Sequence, residues 1–255
     1  MRMSHRCQTK TNRIVRRTPT SGGQLAPGTF VTRFAECLNH PRWVYVLPNG
    51  DVLVAESSAP SRPEDGKGIK GWFIRQFMIK TGSRVPSADR ITLLRDTNHD
   101  GIVDTRAVFL GGLRSPIGMT LVDNELYVAN TDALLRYPYS SGQISITASG
   151  VKVTDLPAGP IDDHWTKNVI AHANGGKLYV TVGSNSNVAE NGLDKESERA
   201  SIWEIDPKTG SHRIFASGLR NPNGLAWEPD SGALWTTVNE LQSDLRSVHW
   251  GQTGR

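Results

Sequence analysis

The 255 residues carry 37% hydrophobic and 21% charged side chains, and no apolar run approaches the roughly 18–20 residues of a membrane helix. That excludes a membrane-spanning helix, and the length is enough to bury one substantial core or two modest ones. The sequence pI of about 9.2 points towards nucleic acid only at first sight. Arg2, Arg6, Lys10, Arg13, Arg16 and Arg17 place +6 within residues 1–24, which hold no acid; subtracting this from the net +4 leaves −2 for the rest. The excess therefore belongs to a basic tail that reads as disordered, and the remainder shows no nucleic-acid footprint.

That tail lacks the apolar stretch of a secretory signal, so no export route is visible in the chain. Cys7 and Cys37 share no metal-ligand spacing, and with Cys7 in the tail a structural disulfide is not expected.

After the tail, VYVL and DVLVAE flank Pro48, Asn49 and Gly50, a hairpin signal because Asn-Gly adopts the positive φ of a tight turn. Residues 58–88, with Pro, Gly and scattered Lys, read as a long surface insertion, with a short amphipathic segment over 72–80. RITLLR and TRAVFL then form strands either side of a polar loop. Three further hairpins follow, turning at Asp123 and Asn124, at Gly175 and Gly176, and at 230–232. Between the last two turns, 201–206 and 212–216 read as strands. No apolar helical period persists over a dozen positions. Four copies of one grammar, a small-residue entry, an apolar strand, a turn and a second strand ending in polar residues, recur at intervals of about 50 to 75 residues. Such units are too thin to bury their own faces and must stack. The expected fold is all-β and propeller-like, with about four blades.

The chemistry gathers in residues 160–224. His164 follows Asp162 and Asp163 in a polar turn, and a histidine beside carboxylates is a candidate general base near neutral pH; a solvated loop histidine is the plainer alternative. His172, within a strand-like run, reads as structural. Arg220 and Asn221 leave a strand together and offer a cation and an amide to an anionic or carbonyl-rich ligand; a packed turn is the alternative. Pro222 biases Asn221 to extended geometry. The loop 183–187, GSNSN, is a polar rim with the same two readings. In the loop from 96 to 104, Asp96, Asn98, Asp100 and Asp104 stand at positions 1, 3, 5 and 9 with Gly101 at 6, like the start of a calcium loop. Position 12 is Ala107, so the bidentate carboxylate is missing, and an Asx-turn hairpin competes with a structural calcium. A Gly-rich phosphate loop, HExxH and GxSxG are all absent, against nucleotide, zinc-protease and serine-hydrolase chemistry.

Taken together, HPRWVYVLPNGDVLVAES, RITLLRDTNHDGIVDTRAVFLGGLRSPIGM, DDHWTKNVIA, LYVTVGSNSNVAENG and ASGLRNPNGLAWEP resemble the sorbosone dehydrogenase family. That family is related to soluble quinoprotein glucose dehydrogenases, six-bladed β-propellers that use pyrroloquinoline quinone (PQQ) and calcium. The resemblance runs over residues 25–240 and implies oxidation of a sugar or a sugar-derived aldehyde or alcohol in the periplasm or outside the cell. It assigns His164 as the base that takes the substrate hydroxyl proton, Arg220 as the catalytic, cofactor-binding arginine that steadies charge on the quinone oxygens, and Asn221 as its neighbour at the cofactor. Asn239 and Glu240 fall where backbone carbonyls hold the cofactor's calcium in the relatives.

Three departures stand out. The glucose dehydrogenase relatives carry an Asp about 19 residues after the histidine, where Gly183 and Ser184 stand here, so that role is vacant or differently filled. Residues 241–255 no longer resemble the family. The later blades, with the Lys and Arg that grip the cofactor's carboxylates, are absent, so the chain reads as the family's first two-thirds. An exposed blade face, low stability and doubtful cofactor retention are expected of such a piece.

Two other classes remain open. A calcium-dependent propeller lactonase would use a cluster at the axis, for which Glu56, Asn130, Asn185 and Asn239 are placed. A non-catalytic propeller would bind a partner and tolerate loss of His164.

Overall fold

The computed structural model describes residues 32–60 and 87–240. The basic tail, most of the 58–88 insertion with its 72–80 segment, and residues 241–255 lie outside the described residues. Fourteen strands and one 3₁₀ turn account for the regular structure of the described residues. The first sheet holds β1 (Pro41–Val46), β2 (Val52–Glu56), β3 (Arg90–Arg95) and β4 (Thr105–Leu110). The second holds β5 (Met119–Val122), β6 (Glu125–Ala129), β7 (Ala133–Pro138) and β8 (Val151–Asp155). The third holds β9 (Val169–Ala171), β10 (Leu178–Val182), β11 (Ser201–Ile205) and β12 (His212–Ser217), with the 3₁₀ turn Leu193–Glu196 in the β10–β11 connection. β13 (Pro222–Trp227) and β14 (Leu234–Val238) form a two-stranded sheet.

Within each sheet the strands pair antiparallel in chain order, so each is an up-and-down meander. The four predicted hairpins are β1–β2, β5–β6, β9–β10 and β13–β14, the opening pair of every unit. Their turns take the backbone that the residues allow: φ is 87° at Gly50, 69° at Gly175 and 67° at Gly232, with Asp123 at 51°. The expectation of about four blades resolves into three complete blades and the first hairpin of a fourth. β8, VKVTD, has too little apolar character to stand out in the sequence.

The core is three cores, one between each pair of neighbouring sheets. Side chains alternate across a strand, so one strand serves two interfaces. Leu126 and Val128 of β6 join Leu53, Leu93 and Phe109 of the first sheet. Tyr127 and Ala129, the residues between and after them, face Leu178, Val180 and Trp203 of the third. Tyr179 and Ile202 then meet Leu225, Trp227 and Leu234 of the last hairpin. β5 and β9 lie side by side, which sets the first strands of successive blades innermost. Val44 and Val46 on β1 and Trp235 on β14 are open to solvent.

Cys37 corrects one expectation, because it is disulfide-bonded. Charge inside the sheets is paired: fully buried Glu56 accepts from Arg90 through both oxygens, from Thr92 and from the amide of Asn39. These bonds outweigh burial and hold its carboxyl below the usual range.

Candidate functional site

Because the strands meander, the C-terminal ends of β2, β6, β10 and β14 all reach one rim. His164, the loop 183–187, Arg220, Asn221 and Asn239 meet there. The backbone stitches them: the Asp163 amide donates to the Asn185 carbonyl at 3.0 Å, Ser184 to Arg220 at 2.8 Å, and Asn239 to Asn221 at 3.0 Å. Glu196 of the 3₁₀ turn closes the loop by accepting from the amides of Asn185 and Ser186.

His164 is buried, and its protonation pattern follows from its partners. Nδ1 lies 3.1 Å from the Ser184 carbonyl oxygen, which can only accept, so Nδ1 carries the proton. The Ser184 hydroxyl, 2.9 Å from Nδ1, donates its own hydrogen to the Ser186 carbonyl and accepts from the ring. Nε2 is left with its lone pair free, as a general base requires. Burial lowers the imidazole's pKa below 6.5; the Ser184 carbonyl opposes this, and the positive charge of Arg220 adds to it.

Ser184, one of the two residues standing where the relatives' Asp was expected, places both its carbonyl oxygen and its hydroxyl against Nδ1. Gly183 beside it is required by closeness: a Cβ there would stand 2.4 Å from the His164 Cβ, 2.8 Å from the His164 carbonyl oxygen and 3.0 Å from the Asn221 Oδ1. Serine shows nothing of this in the sequence, since only the fold brings its carbonyl and hydroxyl under the imidazole. Replacing Ser184 by alanine removes one of the two acceptors. The expected result is a fall of about two- to tenfold in any rate that uses Nε2, with the Nδ1–H tautomer less dominant in ¹⁵N spectra; an unchanged ring spectrum would contradict the assignment.

The lowered pKa also has a stability consequence. A group whose folded pKa lies below its unfolded value contributes stability that is fully present above the unfolded value and lost as pH falls through the folded one. For His164 the unfolded value is about 6.5. The melting temperature of the wild type is expected to fall more than that of a His164→Gln variant between roughly pH 7 and 5. Parallel melting curves over that range would exclude a buried neutral imidazole.

Arg220 lies on the rim, half-buried, with its guanidinium held by oxygen acceptors. Nε donates to the Asn187 carbonyl at 3.1 Å, Nη1 to the Asn239 carbonyl at 3.0 Å, and Nη2 to the Asn187 side-chain oxygen. Glu240 accepts from its backbone amide at 3.1 Å. Among the described residues the guanidinium forms no ion pair. Asn221 is buried, and its Oδ1 has no hydrogen-bond partner. Asn187, missed in the sequence beyond its polar loop, is what fixes Arg220.

Most of the other candidates lie elsewhere or are already hydrogen-bonded, while Asn130 is buried with its Oδ1 unpartnered among the described residues. The loop 96–104 joins β3 to β4 at the opposite rim, where Arg95 pairs with Asp51 at 2.6 Å. There Asp96 accepts from the amides of Asp100 and Gly101, Asn98 from that of Asp100, and Asp100 from that of Ile102. Asp104 accepts from the amide and hydroxyl of Thr97. These are Asx-turn contacts, and among the described residues no three His, Cys, Asp or Glu gather as a metal site. At Asn239 the Arg220 guanidinium already stands on the carbonyl oxygen, a poor neighbour for calcium. Of the lactonase set, Glu56 is consumed by its own sheet, and Asn185 bonds the Ile161 carbonyl and Asn191. His172 lies at the β9–β10 turn and packs edge-on to Trp227, as a structural residue.

Residues 23–249 match the family model described as TrAA12-like. The chain belongs to the TrAA12-like family. Solved structures similar to this TrAA12-like chain include the holo form of the pyranose dehydrogenase PQQ domain from Coprinopsis cinerea, at 19% identity and TM-score 0.59 over 84% of this chain and 47% of that one. The calcium structure of the Trichoderma reesei carbohydrate-active enzyme of family AA12 gives 16% identity and TM-score 0.62, covering 82% and 48%. The PQQ-bound aldose sugar dehydrogenase from Streptomyces coelicolor gives 18% and 0.52, covering 79% and 57%. At these identities the likeness shows the β-propeller fold, and the chain spans about half the length of these structures. No helix among the described residues is long and apolar enough to cross a membrane.

Proposed function

We propose that this chain carries the base-and-cation half of a quinone-dependent sugar dehydrogenase site. The observation that carries this reading is the pairing, on one rim, of a neutral His164 with a free Nε2 and an Arg220 guanidinium that forms no ion pair among the described residues. PQQ is a planar, anionic ortho-quinone, and the residues present fit it in two respects. Arg220 offers positive charge that no ion pair among the described residues neutralises, and the buried Asn221 side chain holds a polar atom without a partner there. The residues at Asn239 and Glu240 do not fit calcium as they stand, and no step is assigned to it.

Bound there, PQQ would supply the two-electron acceptor for the hydride leaving the sugar carbon. The chain's own part is acid–base and electrostatic. His164 accepts the substrate hydroxyl proton at Nε2, while the Nδ1–H bond to Ser184 holds the ring in the tautomer that permits it. Arg220, fixed by Asn187 and Asn239, places positive charge where negative charge develops. Asn221 holds its unpartnered amide oxygen beside Arg220 for the same ligand.

The substrate class is an aldose or a sorbosone-type sugar, in the periplasm or outside the cell. The test is reduction of an artificial dye acceptor by the purified chain reconstituted with PQQ, across a panel of aldoses and sorbosone. Saturable, PQQ-dependent turnover supports the reading. Turnover of lactones without PQQ would replace it with the hydrolase, and neither activity at any concentration would leave a binding propeller.

A further inference from the structure

We infer that Lys167 is a positioning residue for His164, a single buried ammonium that ties down both flanks of the loop carrying the imidazole. This rests on the role proposed above for His164. The Lys167 side chain is 0% exposed. Its Nζ donates to the Trp165 carbonyl at 3.3 Å, on the residue directly after His164. It also lies 3.8 Å from Oδ2 of Asp162, two residues before His164.

The second oxygen of Asp162 accepts from Arg199 at 2.7 Å, and both of those side chains are buried as well. Oδ2 has no hydrogen bond of its own, so Lys167 is its nearby compensating charge. The Trp165 carbonyl receives a second donor from the neighbouring blade, the Thr131 hydroxyl at 3.1 Å. On the far side, the Lys167 carbonyl accepts from the Gly118 amide at 3.0 Å. The loop is thus held by two buried cations, Arg199 on Asp162 before the imidazole and Lys167 reaching both Asp162 and the Trp165 carbonyl after it, and is tied to the second blade through Thr131 and Gly118.

Burying an ammonium is costly, and burial pushes Lys167 down to about 8, with Asp162 opposing and Arg199 adding to the shift. Replacing buried charges with apolar side chains is often neutral or stabilising. An ammonium kept here, beside a proton-accepting histidine, therefore points to geometry rather than stability. The groups that act electrically on His164 are Arg220, Asp163 and Asp162. Lys167 acts on the ring through Asp162 and through the backbone.

The experiment is ¹⁵N and ¹³C NMR of the histidine rings in the full chain without quinone, with His164→Gln used to assign the signal. In the wild type His164 is expected as the Nδ1–H tautomer titrating below 6.5. In Lys167→Met the loop loosens, the tautomers mix and the pKa returns towards the ordinary value; Lys167→Arg restores the wild-type ring. A folded Lys167→Met variant with the wild-type tautomer and titration overturns the inference. If that variant does not fold, the wild type decides by itself. The His164 signals are expected to shift again as the Lys167 ¹³Cε resonance titrates, and His164 signals that stay flat through that titration contradict the clamp. A wild-type ring in the opposite tautomer would instead overturn the base assignment, so the two failures are separable.

Discussion

His164→Gln is expected to lower PQQ-dependent sugar oxidation by about 10²- to 10⁴-fold, with the fold retained. Glutamine keeps a polar side chain of similar reach, so the buried position is not emptied. What it lacks is the Nε2 lone pair that the Ser184 contact leaves free on the ring. Because the base acts on the chemical step, the loss should fall on kcat and kcat/KM together, with sugar KM little changed. A rate within threefold of the wild type would remove His164 from the mechanism.

The second large effect lies at a residue with no side chain. Gly183→Ala forces a methyl to within 2.4 Å of the His164 Cβ and 3.0 Å of the Asn221 Oδ1, both inside the site. Overpacking of this kind costs about 1–3 kcal/mol, and the strain must be relieved by moving His164, Asn221 or both. Displacing a catalytic group by about 1 Å can lower a rate about 10²-fold. A lower melting temperature and a rate loss of that order are therefore expected together. Gly111→Ala is the control, since a Cβ there meets only Val108 Cγ1 at 3.8 Å, an ordinary contact. Equal behaviour of the two variants would show that the close approach at Gly183 has no consequence.

Much of the fold was legible because strands and turns announce themselves locally. Asn49-Gly50 and Gly175-Gly176 marked tight turns, and the apolar run Leu126, Tyr127, Val128 and Ala129 marked a strand, whose service to two interfaces only the stacked sheets reveal. The unit boundaries were less legible, because strands such as VKVTD of β8 carry little apolar signal. In the site, His164, Arg220 and Asn221 were visible as candidates, and the resemblance joined them before any geometry did. The fold supplied Ser184 and Gly183. Their roles depend on a hydrogen bond and a close contact between residues about twenty positions apart, which spacing does not encode. Lys167 was hidden by a sound rule, since a lysine in a polar segment is usually exposed. Only the loop geometry, with Asp162 and the Trp165 carbonyl turned inwards, buries it. At the calcium-like spacing of Asp96, Asn98 and Asp100 the side-chain oxygens accept backbone amides of their own loop, a pairing that spacing does not encode.

The central claim is that the rim formed by His164, Arg220 and Asn221 is a quinone site. A titration of the purified chain with PQQ, followed by calorimetry, tests it without requiring turnover. One saturable site is expected in the wild type, weakened about 10-fold or more in Arg220→Ala, because a charge-assisted hydrogen bond contributes roughly 1.5–3 kcal/mol. No saturable binding by the wild type, or equal affinity in the two proteins, would contradict it.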